Sequence, residues 1–163
     1  PPTTRRAAET MPPHGRGGSA MLKAAAVAAA DEARRLSVIR PKLLAVTVLT
    51  SIDADEWKKL GHTNSISQSV LTMAGAAKAA GMDGTVSSPH EAAEIRRLNG
   101  PDFLIVTPGI RPSFAQSDDQ KRVTTPKEAV RNGATHLVVG RPITKAADPQ
   151  EAARAIAEEI REV

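Results

Sequence analysis

Residues 101–144 read PDFLIVTPGIRPSFAQSDDQKRVTTPKEAVRNGATHLVVGRPIT, and the fold turns on this stretch. Phe103 to Thr107 (FLIVT) is a short apolar run with β-branched residues, the composition of a strand. It stops at Pro108-Gly109-Ile110-Arg111-Pro112, where two Pro and one Gly make a stiff turn. Thr125-Pro126 then opens a helix to about Asn132, with Gly133 just past its end. His136 to Val139 (HLVV) is the next strand, ending in Gly140-Arg141-Pro142. Strand, loop, helix and strand in this order predict parallel pairing with a right-handed crossover.

The same grammar extends outward. Leu43 to Leu49 (LLAVTVL) reads as a strand covered on both faces, with Thr50 and Ser51 at its end. Residues 53–60 read as a short helix opened by Asp53, and residues 66–80 as a longer one closed by Gly81. Gly84 to Ser87 is a weaker strand. Ser88, Pro89 and Glu91 then give a helix start, and that helix runs to about Leu98. A last helix covers about 149–160. Residues 43–163 therefore form four strand–helix units of an α/β chain, and ligands of such folds sit at the C-terminal ends of the strands. Upstream, Ser19 caps an Ala-rich helix to about Arg35, while residues 1–18 (PPTTRRAAETMPPHGRGG) read as irregular. The expected division is an irregular segment 1–18 and a domain 19–163.

Composition narrows the function. The chain has 163 residues, no Cys and three aromatics, Trp57, Phe103 and Phe114. No Cys excludes a disulfide framework, a Cys-based zinc site and a thiol nucleophile. So few rings argue against base-stacking platforms for single-stranded nucleic acid. The formal charge of +4 lies wholly in residues 1–40, which hold seven Lys and Arg against three Asp and Glu; the remainder holds fifteen of each. The basic excess is thus read as a solvated terminus rather than a nucleic-acid-binding arm. No apolar run is long enough to span a membrane, and the cytoplasm is the expected location. Four His at 14, 62, 90 and 136 lack metal-ligand spacing.

Four constellations can carry chemistry. Gly140-Arg141 offers a close backbone approach and a planar fork of donors matched to phosphate, against the plainer reading of a turn Gly beside a surface Arg. Arg111 is aimed by a rigid turn, and the polar loop that follows brings Gln120, either as a lid with an amide donor or as a mobile charged loop. Thr50 and Ser51 either bond a ligand or cap the next helix. His14-Gly15-Arg16-Gly17-Gly18 is readable as a strand end lining a site.

LLAVTVLTS (43–51), GMDGTVSSPHEA (81–92), FLIVTPGIRP (103–112), DDQKRVTTPKEAV (118–130) and GATHLVVGRPIT (133–144) together resemble the orotidine 5′-phosphate decarboxylase family. The likeness covers residues 41–163 well and 14–40 loosely. It implies a (β/α)₈ barrel and a lyase without cofactor or metal. That lyase converts orotidine 5′-monophosphate to uridine 5′-monophosphate and CO₂ in de novo pyrimidine biosynthesis. Position by position, it implies that Arg111, Gln120, Gly140 and Arg141 grip the substrate phosphate. It also implies that Thr50 binds at the pyrimidine–ribose end. The implied partner is a small nucleotide. The open edges and apolar face of a half-barrel add the expectation of a homodimer, and composition that of neither nucleic acid nor membrane as partner. One departure matters. The family's catalytic Asp-x-Lys-x-x-Asp motif is absent; Asp119-Gln120-Lys121 begins it but continues Arg122-Val123-Thr124. The expectation is a partial barrel with family strands five to eight and a fourth damaged by Pro12-Pro13, holding no catalytic residue of its own. The alternatives are an inactive phosphate- or nucleotide-binding half-barrel and a structural, oligomerising fragment.

Overall fold

The computed structural model describes residues 10–112, 114 and 122–161. Among them a parallel sheet of five strands runs in sequence order, β1 (Thr10–Met11), β2 (Lys42–Val46), β3 (Gly84–Val86), β4 (Leu104–Thr107) and β5 (His136–Leu137). The helices are α1 (Gly18–Leu36), α2 (Ala54–Lys59), α3 (Ile66–Ala79), α4 (Ala92–Asn99), α5 (Pro126–Arg131), α6 (Arg141–Thr144) and α7 (Pro149–Arg161). Consecutive strands pair and helices fill the crossovers, so the chain is an α/β partial barrel whose edge strands, β1 and β5, stay unjoined among the described residues.

Register places Ala45, Thr85 and Ile105 side by side on one face. That face packs under the helices in a core that includes Leu22 of α1, Val70 and Ala74 of α3 and Ile95 of α4. The opposite face carries Val46 and Val86, also in register. At the opposite end of the strands from the C-terminal loops, Asp83 accepts the Leu43 N–H at 2.8 Å and pairs with Arg40 at 2.8 Å. Arg96 donates to the carbonyls of Gly100, Phe103 and Gly133, fastening α4 to the starts of the last two units.

Several boundaries differ from the expectation. The segment 1–18 expected to be irregular carries β1 and a 3₁₀ turn at Gly15–Gly17, and α1 starts at Gly18 without a side-chain cap. Pro12-Pro13 does not abolish pairing here. Both prolines follow β1 rather than lie within it, and the Pro13 carbonyl accepts the Val46 N–H at 2.9 Å. β2 ends at Val46 rather than Leu49, and Leu49 is 56 % exposed. Ser88 to Glu91 form a turn, so α4 starts three residues later than expected, with Glu91 at its cap position. β5 is two residues long, and the single turn α6, unforeseen, follows it.

Candidate functional site

The loops after β2, β3, β4 and β5 border one cleft of about 370 Å³. Val46, Val86 and Val138 give it apolar walls; Thr50, Ser51 and Ser87 also border it, as do the cations Arg111 and Arg141. None of the described lining residues is acidic. Two guanidinium forks beside apolar walls favour a ligand with an anionic end and a less polar body.

Each side chain is set by its local structure. Gly109 has φ +78°, in the left-handed region, and a Cβ there would lie 2.9 Å from the Arg122 carbonyl and 3.3 Å from Thr50 Cγ2. Only a glycine permits that turn and that approach together. The turn is locked by a two-way backbone pair: Arg111 N donates to the Thr124 carbonyl at 2.9 Å and Thr124 N to the Gly109 carbonyl at 3.3 Å. Arg111 Nη1 also donates to the Ile110 carbonyl at 2.8 Å, and Ile110 is fully buried. Gly140 precedes α6, with no atom within 4 Å of where its Cβ would be, so backbone there faces open space beside the half-buried Arg141. Ser87 belongs to a hydroxyl chain: Thr47 Oγ1 donates to the Val86 carbonyl, Thr47 meets Ser87 at 3.2 Å, and Ser87 donates to Thr85 Oγ1 at 3.0 Å.

Capping of α2 falls to Asp53, whose carboxylate accepts the Glu56 N–H at 2.9 Å, which leaves Thr50 and Ser51 at the cleft. Thr50 is buried there. His14 bridges to Val46 but does not line the cleft; its neighbour Gly15 is the buried residue, 2.8 Å from the Val46 carbonyl at its Cβ position. Gln120, with Asp118 and Asp119, lies outside the described residues. Among the described residues no three His, Cys, Asp or Glu cluster as metal ligands, and no helix is long and apolar enough to cross a membrane.

Sequence reasoning missed one pair. Arg122 Nη1 meets Glu91 Oε1 at 2.6 Å, with side chains 10 % and 6 % exposed. Burial pushes the Glu91 carboxyl up, outweighing the attraction of Arg122, and burial likewise pushes the Arg122 guanidinium down. In sequence Glu91 looks like a helix-start acid and Arg122 like part of a charged loop, and nothing in one sequence joins positions 31 apart.

A cleft bordered by two arginines at the C-terminal ends of parallel strands is the arrangement of a barrel-type α/β protein, a class that places its ligands there. The sequence model of the orotidine 5′-phosphate decarboxylase / HUMPS family matches residues 4–156. The orotidine 5′-phosphate decarboxylase of Trichlorobacter lovleyi is 52 % identical over 147 residues, covering 90 % of this chain and 60 % of that protein. That of Moorella thermoacetica is 51 % identical over 148 residues, covering 90 % of this chain and 59 % of that one. The crystal structure of the Lactobacillus acidophilus orotidine 5′-phosphate decarboxylase superposes with a TM-score of 0.75 at 38 % identity, over 93 % of this chain and 62 % of that chain. The chain belongs to the orotidine 5′-phosphate decarboxylase / HUMPS family, and it spans about 60 % of the length of these relatives. The family match begins at residue 4 and so takes in most of the Pro/Arg-rich start.

Proposed function

We propose that the cleft holds the 5′-phosphate end of orotidine or uridine 5′-monophosphate. In this reading the chain is the phosphate-gripping part of a decarboxylase of de novo pyrimidine biosynthesis, working in the cytoplasm as a homodimer. The convergence of Arg111 and Arg141 with Gly109 and Gly140 on one cleft, with no acidic side chain among its described lining residues, carries the reading. Gln120 adds an amide donor, and Thr50 meets the pyrimidine–ribose end. Charge-assisted hydrogen bonds contribute about 1.5–3 kcal/mol each. Such remote binding energy lowers the barrier at the reacting carbon when it is realised in the transition state.

Decarboxylation breaks the bond between C6 and the carboxylate, leaves the electron pair on C6 and requires a proton there. No Lys, Asp or Glu lines the cleft among the described residues, and the Asp-x-Lys-x-x-Asp motif is absent from the sequence. That observation favours a second reading for this chain on its own: nucleotide binding without turnover. Two measurements test the proposal. Loss of orotidine 5′-monophosphate absorbance is expected to stay at background with this chain alone. Calorimetric titration is expected to show uridine 5′-monophosphate binding that Arg141→Ala weakens at least tenfold, about 1.4 kcal/mol. Equal binding by both proteins removes the phosphate assignment.

A further inference from the structure

Arg122 touches three segments that frame the cleft and is not itself among the residues lining it. Its backbone N–H donates to the Thr50 carbonyl at 3.2 Å, and Nη2 donates to the Val48 carbonyl at 3.3 Å, both in the loop after β2. Nη1 holds Glu91, at the entry to α4. Its carbonyl lies against Gly109, in the turn that carries Arg111. A second tie runs beside it, His90 Nε2 to the Val123 carbonyl at 3.1 Å.

This arrangement is a poor source of stability. Both ions are out of water, and Glu91 Oε2 and Arg122 Nε find no hydrogen-bond partner among the described residues. Breaking such a pair is costly, yet replacing both members with apolar side chains of similar volume is often neutral or stabilising. What an apolar pair cannot reproduce is the directional bond to the Val48 carbonyl and the fixed angle between the α4 entry and the Gly109 turn.

We infer that the buried Glu91–Arg122 pair is a positioning element, which holds the loop after β2, the entry to α4 and the Gly109–Arg111 turn in the one arrangement that aims Arg111 at the ligand. The inference rests on the phosphate reading for its consequence in binding, and on backbone geometry alone for its effect on the turn.

The test compares wild type, Glu91→Leu, Arg122→Met and the double variant. Three readouts are followed: thermal melting, amide hydrogen exchange at Arg111 and Thr124, and affinity for uridine 5′-monophosphate. The single variants are expected to melt lower, and the double variant to recover wild-type melting. Despite that recovery, the double variant is expected to exchange both amides at least tenfold faster and to bind the nucleotide at least tenfold more weakly. A double variant with wild-type exchange, or with faster exchange but wild-type affinity, overturns the inference. If wild type itself binds no nucleotide, the phosphate reading fails and exchange alone decides the role of the pair. Should the double variant not fold, Arg122→Lys carries the test, since one ammonium cannot reproduce the fork to Glu91 and Val48. Faster exchange then supports the inference and unchanged exchange overturns it.

Discussion

Gly109 shows how one residue sets the chemistry of the cleft. Its φ of +78° and its contact with the Arg122 carbonyl leave no room for a side chain. Gly109→Ala is expected to lower stability by about 1–3 kcal/mol, the usual cost of a side chain held in the left-handed region. Urea unfolding reads that loss, and an unchanged midpoint contradicts the close packing described. Glycine and arginine beside strand ends were legible from sequence, because Gly-Pro turns after apolar runs announce where parallel sheets place ligands. Arg111, Gly140 and Arg141 were read as ligand-binding in that way, and the structure brings the three to the border of one cleft. Glu91, Arg122 and Ser87 were not found, because their roles depend on burial and on partners in distant segments. Gln120 was read from the same loop pattern and lies outside the described residues.

At the scale of elements, local chemistry was a good guide where it is self-contained. Thr125 and Glu128 form a reciprocal capping box at the start of α5, with Pro126 in the first turn. Thr125→Ala is expected to cost about 1 kcal/mol in chemical denaturation. Strand ends were less legible, since an apolar run continues past β2 into the loop that carries Val48 and Thr50, and only pairing with β3 fixes where the strand stops. The Pro12-Pro13 pair misled for a related reason: its effect depends on where the strand stops, and β1 ends at Met11, just before it. Asp83 fastens the start of β2. Burial pushes its carboxyl up, but the Leu43 N–H and the Lys42 and Arg40 cations outweigh that and hold it below its ordinary value. A carboxyl depressed in the folded state contributes stability above its unfolded pKa, and that contribution is lost as pH falls through the folded one. Asp83→Asn is therefore expected to flatten the fall in melting temperature between pH 7 and pH 3. An acid limb identical to wild type contradicts this role.

For the whole molecule, the described residues form an open sheet with two edges and with Val138 51 % exposed at the cleft. Edges and apolar surface of this kind favour association. The proposed homodimer is expected to appear in size-exclusion chromatography with light scattering, and a monodisperse monomer contradicts it. Four strand–helix units and their order were legible because apolar runs alternate with capped helices along the chain. The unjoined edges of β1 and β5 among the described residues were not, because they depend on which segments meet in space. The central claim is that the cleft recognises a nucleotide through its 5′-phosphate, and calorimetric comparison of uridine 5′-monophosphate with uridine tests it most directly. The account predicts that the nucleotide binds at least tenfold more tightly than the nucleoside, and that Arg111→Ala with Arg141→Ala closes the gap. Equal affinities, or a gap untouched by removing both arginines, would contradict it.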